Sequence, residues 1–330
     1  MKLFQLCGFI LALAGATPLS AQETLRVSVP GPLNISYLPL DLAPRIKADQ
    51  AEGVELILQR VGGGGVALND LRTHRADFAV AGVPAAISAK ARGHDVVVIA
   101  PVDDLTLFIL MVRSGLKEEV KSVKDLSGRV IGVNSSSLAS KTTSQQLAEL
   151  LVKHAGLALT KVRFVAAGQS WEEQSSMIRS SKADAILGDE PYASRLRDKG
   201  EVFFLVNLAN PEDASKIPGA GFLHAAVETR SDIITHSPQK AEKMVAVVRR
   251  TLVWMASHTP EQIVEALRIE DAGERQSILQ SLRQYPRLYS PDAKFSGRQT
   301  QETDAFFAAT EGQSGLFAGM IDDRWAGHKP

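Results

Sequence analysis

The chain has 330 residues, and its 37 lysines and arginines balance 37 aspartates and glutamates, so the formal net charge at pH 7 is +0. This balance, without a basic stripe or a polybasic tail, argues against a nucleic-acid-binding or membrane-surface protein. The single cysteine, Cys7, falls in a predicted leader, so the mature chain offers no disulfide, thiolate nucleophile or thiolate metal site.

The first 21 residues have the pattern of a secretory signal peptide. Lys2 supplies the charged start, Leu6 to Ala16 form a short apolar run, and Ala21 is a small residue suited to cleavage. The run is too short to span a bilayer, so we expect a free periplasmic protein. Cleavage would leave about 309 residues, more than one hydrophobic core usually holds, which predicts two domains.

Strand and helix patterns alternate through the first third of the chain. The predicted strands are Leu25–Val29, Val54–Val61, Asp77–Ala81 and Val96–Ala100. The predicted helices are Leu40–Gln50, one that Gly62–Gly65 opens, and Ala85–Ala91. This βαβαβαβ order predicts a parallel, doubly wound sheet.

A second α/β set follows the apolar stretch Leu105–Val112. Its predicted strands are Val130–Val133, Lys161–Val165, Ala183–Leu187 and Val202–Val206. Its predicted helices are Thr142–Ala155, Trp171–Ser180 and Pro191–Arg197. Gly221–Val227 is apolar again and is expected to return the chain to the first set, before a helical tail from Ser231. We therefore predict an α/β protein of two doubly wound lobes joined by a hinge, with residues 22–104 plus 226–330 in lobe I and 105–225 in lobe II.

Asn134 to Ser137 form a hydroxyl-rich turn between a predicted strand and a predicted helix. The first N–H groups of a helix lack partners within it and carry the positive end of its dipole, which suits an anionic or strongly polar ligand. The alternative is that Ser135, Ser136 and Ser137 only cap the helix.

Five segments, in order and spacing, resemble those of periplasmic solute-binding proteins of ABC importers. They are Pro39 with its helix, Gly62–Gly64, Leu71–Asp77, Val123–Val133 and Ala183–Tyr192. The resemblance is to the sulfonate-, nitrate- and taurine-binding family, which includes binders of the thiamine pyrimidine precursor. It implies a fold like that of type II periplasmic binding proteins, with the ligand held between the lobes.

The resemblance also implies which residues hold the ligand, in loops after the first strands of each lobe. These positions are Asn34, Ser36, Tyr37, Gly63, Gly64, Gly82, Val83, Thr106, Ser135, Ser136, Ser137, Asp189 and Glu190. A run of four glycines offers backbone N–H groups but no hydroxyl, so a side-chain clamp in that loop is not expected.

Three further aromatic or acidic positions have two interpretations each. Trp171 follows a strand and sits in a Ser170-x-x-Glu173 capping box, so it either stacks on the ligand or packs structurally. Glu190 either accepts a hydrogen bond from the ligand or belongs to the start of the next helix. His224, on the return strand, either faces the cleft or is an ordinary buried histidine.

The sequence therefore predicts a binding protein that captures a small organic solute by hinge closure and delivers it to a membrane permease with its ATPase. An anion such as a sulfonate or carboxylate is the favoured ligand, and an aminopyrimidine or other aromatic heterocycle is the alternative. A sensory binding protein would share the fold. The seven histidines have no metal-ligand spacing and no Gly-x-Ser-x-Gly elbow is present, so we predict a monomeric non-enzyme without metal or cofactor.

Overall fold

The computed structural model of the chain describes residues 22–138 and 141–329. The predicted signal peptide, residues 1–21, lies outside the described residues. Within the part of the chain that is described, none of the helices combines the length and the apolar character that crossing a membrane requires.

The first half of the molecule is a five-stranded sheet in the order β2-β1-β3-β10-β4. Its strands are β1 Glu23–Pro30, β2 Val54–Val61, β3 Phe78–Gly82, β4 Val97–Pro101 and the late strand β10 Ala225–Thr229. The helices between them are α1 Leu38–Arg45, α2 Ala48–Ala51, α3 Gly64–Arg72 and α4 Val83–Ala91, and a 3₁₀ turn covers Ile35–Tyr37. β1 pairs in parallel with β2 over its full length, as the alternating pattern predicts.

The second half is another five-stranded sheet, in the order β7-β6-β8-β5-β9. Its strands are β5 Phe108–Arg113, β6 Val130–Val133, β7 Arg163–Ala166, β8 Ala185–Asp189 and β9 Val202–Asn207. Its helices are α5 Thr143–His154, α6 Trp171–Arg179, α7 Tyr192–Asp198 and α8 Pro211–Ala214. We call the half built on the first sheet lobe I and the half built on the second sheet lobe II.

The chain then returns to the first sheet as β10 Ala225–Thr229 and continues as helices. These are α9 Ser231–His236, α10 Pro238–Ala256, α11 Pro260–Leu267, α12 Ala272–Gln284 and α13 Gly297–Glu311. Helix α13 contacts both α4 and α5, so the helical tail lies across both lobes.

Neither sheet is wholly parallel, in contrast to the prediction. β10 runs antiparallel between β3 and β4, and β5 runs antiparallel between β8 and β9. These are the two strands by which the chain changes lobes. They enter each sheet beside the cleft and run away from it, whereas the strands of βα units end there.

One predicted helix is also divided. Leu40–Gln50 reads as one amphipathic segment, but Lys47 adopts a left-handed backbone conformation (φ 60°) and separates α1 from α2. Pro44 lies inside the last turn of α1 and has no N–H to donate to the carbonyl of Leu40, which weakens the helix just before this break.

Each lobe has its own apolar core. The lobe I cluster centres on β1, β3 and α10, and includes the fully buried Phe78 and Leu25. Lobe II packs α5 against one face of its sheet and α6 and α7 against the other. This arrangement makes each lobe a firm support for the loops at its strand ends.

Candidate ligand-binding cleft

The carboxyl ends of the βα strands in both sheets face a common cavity. Its volume is about 30 Å³, room for roughly two or three water-sized groups. Lobe I contributes Asn34, Tyr37, Gly64, Gly82, Ala85 and His224, and lobe II contributes Phe108, Asn134, Thr142, Thr143, Ser144, Gln169 and Asp189. Crevices outside the carboxyl ends of strands are where open α/β sheets bind ligands.

Three helices begin at the wall of this cavity. Gly64 and Thr143 are the first residues of α3 and α5, and Gly82 is the N-cap of α4. The N-caps of α3 and α4 are Gly63 and Gly82, which have no side chain to satisfy the first N–H groups. Three positive dipole ends therefore converge on one small space, which favours negative charge on a ligand.

Aromatic rings from both lobes surround His224. Its ring centroid lies 5.8 Å from that of Tyr37 and 4.9 Å from that of Phe108, the latter edge to face. Its Nδ1 is 3.2 Å from a carboxylate oxygen of Asp103, whose other oxygen accepts backbone N–H groups of His224 and Ala225. When Nδ1 donates to Asp103, Nε2 is an acceptor in the neutral ring and a donor in the charged ring.

Asp189 ends β8 in the opposite wall and is 3% exposed. One of its oxygens accepts a hydrogen bond of 2.9 Å from Nδ2 of Asn134. Burial raises the pKa of Asp189 to about 7, against a lowering by the charge of His224. The cavity thus contains a carboxyl group that is close to its midpoint at neutral pH.

Several other polar atoms of this wall lack a hydrogen-bond partner among the described residues. They are Oδ1 of Asn134, Oγ1 of Thr143 and Oε1 of Gln169, all buried. Unsatisfied buried polar atoms are uncommon and call for an explanation, and a bound polar ligand is one.

The two lobes touch around the cavity. The N–H of Ser136 donates to the carbonyl of Gly62 at 3.3 Å. Nε2 of Gln146, on α5, donates to the carbonyl of Pro84 at 3.2 Å and to Oγ of Ser88 at 3.1 Å. These hydrogen bonds cross from lobe II to lobe I, so the structure is a closed one.

The serine turn is not the cap of the following helix. Helix α5 begins at Thr143, and Oγ1 of Thr142 accepts the N–H of Gln145. Ser135 instead closes its own turn, since its hydroxyl contacts the N–H and carbonyl of Ser137. The start of α5 at the cavity is formed by Thr142 to Ser144 and not by Ser135 to Ser137.

The predicted ligand-binding residues fall into three groups. Asn34, Tyr37, Gly64, Gly82 and Asp189 line the cavity. A second group lies beside it at the lobe contact or directly behind its wall: Ser36, Gly63, Val83, Ser135, Ser136 and Ser137. In this group a Cβ added at Gly63 would be 3.7 Å from Oγ of Ser135, and Val83 donates its N–H to the carbonyl of His224.

The third group lies away from the lining and is engaged elsewhere. Thr106 donates its hydroxyl to the carbonyl of Phe222 in the crossing segment. The Trp171 ring is covered by the guanidinium of Arg195 at 3.9 Å. The carboxylate of Glu190 accepts the hydroxyls of Ser194 at 2.7 Å and of Tyr285 at 3.3 Å. None of these three residues lines the closed cavity, so their contact with the ligand stays a prediction.

Sequence reasoning missed about half of the lining. Gln169 lies in a loop with no motif, and Phe108 reads as a core residue of a crossing strand. Of the two acids that the resemblance implied, Asp189 at the end of β8 lines the cavity and Glu190 does not. Strand alternation did place His224 on a face directed at the cleft.

The chemistry available to the cleft is recognition by hydrogen bonds and rings. Among the described residues that line the cavity, none is a lysine or an arginine. Nowhere in residues 22–138 and 141–329 do three or more histidines, cysteines or carboxylates form a group able to hold a metal ion.

Comparison with known proteins gives one family match and many structural neighbours. The model of the NMT1/THI5-like family matches residues 50–263. No curated protein sequence matches the chain.

Three solved structures illustrate the structural similarity. A protein from Bordetella bronchiseptica RB50 is 20% identical with a TM-score of 0.82, covering 92% of this chain and 95% of that one. The alkanesulfonate-binding protein SsuA from Xanthomonas axonopodis pv. citri, bound to MOPS, is 15% identical with a TM-score of 0.71, covering 92% and 100%. The ligand-binding component of an ABC-type import system from Staphylococcus aureus is 13% identical with a TM-score of 0.69, covering 92% and 98%. The shared fold is that of periplasmic binding proteins, which confirms the predicted fold class.

Proposed function

Since the matched family model spans more than half of its length, the protein belongs to the NMT1/THI5-like family, and we propose that it is the solute-binding component of an ABC importer. The observation that carries this proposal is the polar cavity shared by two lobes that close on each other through direct hydrogen bonds. Structural similarity to import-system ligand-binding components supports it.

Capture by hinge closure follows from where the contacts lie. A ligand shifts the balance between open and closed forms only by the difference in its affinity for the two. Tyr37 and Gly82 on lobe I face Asn134 and Asp189 on lobe II, so a solute touching both walls binds fully only in the closed form. The cavity itself holds only a small group, so a larger solute needs the lobes further apart.

An anion such as a sulfonate or carboxylate is the first candidate for the group held at the helix starts. Three helix N-termini surround the cavity, and the similar protein SsuA was solved with the sulfonate MOPS. Without a lysine or arginine in the described lining, backbone N–H groups would carry this contact.

Binding without chemical conversion fits the geometry better than catalysis. His224 with Asp103 has the form of a base with its orienting carboxylate, and Thr143 is the nearby hydroxyl. A nucleophile must lie within hydrogen-bond reach of its base, but Oγ1 of Thr143 has no hydrogen-bond partner among the described residues. We therefore infer that the solute leaves unchanged.

The location and partners follow from the same proposal. The leader predicted at residues 1–21 would export the chain to the periplasm, where it would act as a monomer. Its partners would be a membrane permease and the ATPase that drives it. A sensory role would use the same cleft with a different receptor.

A thermal-shift screen of sulfonates, carboxylates and aminopyrimidines, followed by small-angle scattering, tests the proposal. A true ligand is expected to raise the melting temperature and to reduce the radius of gyration by closing the lobes. If no small solute does either, or if the pure protein converts the ligand, the proposed function is wrong. Transport by membranes carrying the permease would separate an importer from a sensor.

A further inference from the structure

A second cavity lies where the chain crosses between the lobes, and we call it the hinge cavity. Its volume is about 720 Å³, within the range of about 300–1,000 Å³ that is usual for small-molecule sites. Both crossing segments line it, through Asp104–Thr106 and Pro218–Gly221. The described residues of this lining are all different from those that line the cleft.

One wall of the hinge cavity is apolar. Lobe II supplies it from the end of β9 and from the segment that follows α8, with Leu208, Ala214, Ile217 and Pro218. Leu208 and Ile217 are themselves buried, so they form a fixed surface on which an aliphatic or aromatic group can pack.

A second wall carries positive charge around the start of α13. Arg298 is the second residue of this helix and Arg287 precedes the helix in the chain, and neither guanidinium has a partner among the described residues. Lys329 also lines the cavity but pairs with Asp104 at 3.0 Å. The N-cap residue Ser296 makes no side-chain hydrogen bond to the helix, and the first turn contains no acid. Unsatisfied N–H groups, the positive end of the dipole and two unpaired guanidinium groups together suit a carboxylate.

Two hydrogen-bond acceptors lie further along the same helix. Gln299 is 9% exposed, and its Nε2 donates to the carbonyl of Asp103 at 3.3 Å. This bond fixes the amide and leaves its buried Oε1 without a partner among the described residues. Glu302 lies three residues on, on the same face of α13, and its carboxylate is unpaired within the described chain. A neighbouring amide oxygen and carboxylate lack a donor, which an ammonium group supplies.

We propose that the hinge cavity is a second ligand site, which takes an apolar α-amino acid. The carboxylate lies between the two arginines and the start of α13, and the ammonium group lies at Gln299 and Glu302. The side chain of the amino acid packs on the apolar wall. Because the two linings share no residue, the amino acid and the solute of the cleft bind to one molecule at the same time.

Calorimetry with matched probes tests the inference. L-Leucine is compared with 4-methylpentanoate, which lacks the ammonium group, with 3-methylbutan-1-amine, which lacks the carboxylate, and with glycine, which lacks the side chain. L-Phenylalanine tests a larger side chain. We expect leucine or phenylalanine to bind with a dissociation constant of about 1 mM or lower, and each truncated probe to bind about tenfold more weakly or worse. Saturation of the cleft with the solute found by screening should leave this binding unchanged.

Variants of the polar wall locate the binding. Arg287→Gln combined with Arg298→Gln, at two exposed positions, should weaken leucine binding about tenfold or more. Glu302→Gln should lower the ratio of leucine affinity to 4-methylpentanoate affinity towards one, because only leucine carries the ammonium group. Arg163→Gln is the matched control, since Arg163 is an exposed residue of β7 outside the lining, and it should leave leucine binding unchanged.

The inference is overturned if neither amino acid binds, if the solute of the cleft competes with leucine, or if either wall variant binds leucine as the wild type does. These results leave the proposed function intact, because the solute screen and the scattering measurements report on the cleft.

Discussion

Asp189 is a carboxyl group that the fold keeps away from water at a cost in stability. In the folded state burial raises its pKa to about 7 from the usual 3.8. The folded protein therefore holds this proton more tightly than the unfolded chain, so the contribution of Asp189 to stability falls as the pH rises from about 4 to about 7. A shift of about 3 units corresponds to about 4 kcal/mol at most.

Replacing this residue should therefore stabilise the protein in a pH-dependent way. Asp189→Asn keeps an oxygen for Nδ2 of Asn134 but removes the charge. We expect its free energy of unfolding at pH 8 to exceed that of the wild type by about 2–4 kcal/mol, and most of this gain to disappear at pH 4. Urea unfolding at both pH values measures it. If the variant is more stable by the same amount at both pH values, or less stable at pH 8, the pKa of Asp189 is not raised by burial in this way.

At the level of single residues, the sequence identified those cleft residues whose place follows from their position between a strand and a helix. Gly64 and Gly82 follow strands and precede helices, and Asn34 and Tyr37 occupy the first turn after β1, so their place at the cleft was predictable. Asp189 and Glu190 were implied together, and the sequence could not tell which of the two acids faces the ligand, while Gln169, a glutamine in a loop, fits many roles. Only the meeting of the two lobes shows that both face one cavity.

The starts of α4 and α5 meet head to head across the cleft, which makes this pair of helices sensitive to a single methyl group. A Cβ added at Gly82 would lie 2.1 Å from Oγ1 of Thr143 and 3.2 Å from its Cβ. Gly82 has φ −75°, a conformation that alanine adopts without strain. The clash therefore exists only between the lobes.

Gly82→Ala should consequently fold normally but close poorly. We expect an unchanged circular dichroism spectrum, at least a tenfold loss of affinity for the ligand found by screening, and a larger radius of gyration in its presence. Adding Thr143→Ala should restore part of the affinity, because the 2.1 Å contact is removed. Gly297→Ala is the control, since nothing lies within 4 Å of its added Cβ. Full closure by Gly82→Ala would show that the lobes do not meet in this way when ligand binds.

At the level of elements, nearly every strand and helix of the two lobes was predictable within a few residues, because β-branched runs and helical spacing are local signals. The direction of β5 and β10 was not, since it depends on how the chain changes lobes. For the serine turn, a local pattern left two interpretations open, contact with the ligand or capping of the next helix. Its hydrogen-bond partner is Gly62 in the other lobe, 74 residues earlier, which no local pattern contains.

In the whole molecule the two lobes are connected in two places, by contacts at the cleft and by the helical tail. Ser136 meets Gly62 at the cleft, while α13 contacts helices of both lobes and Tyr285, directly after α12, reaches Glu190 in lobe II. Opening must break the contacts at the cleft, while the helical tail keeps the two lobes associated. The boundary predicted at residues 104–105 lies between β4 and β5, whereas the one predicted at 225–226 lies within the first residues of β10, so the position of the hinge stays a prediction.

A disulfide across the contact between Gly62 and Ser136 should hold the molecule closed. A Cβ added at Gly62 would lie 3.0 Å from Cβ of Ser136, roughly half an ångström shorter than the usual Cβ–Cβ distance in a disulfide, so the two loops must separate slightly to accommodate the bond. The described residues contain no cysteine, so Gly62→Cys with Ser136→Cys, in a chain expressed from Gln22, has one possible pairing. Oxidation before ligand is added should block binding, and oxidation afterwards should prevent release. Reduction should restore exchange, and each single cysteine variant should exchange freely under both conditions.

Equal exchange rates in the oxidised and reduced double variant would mean that the solute enters without opening of the lobes, and capture by hinge closure would then be wrong.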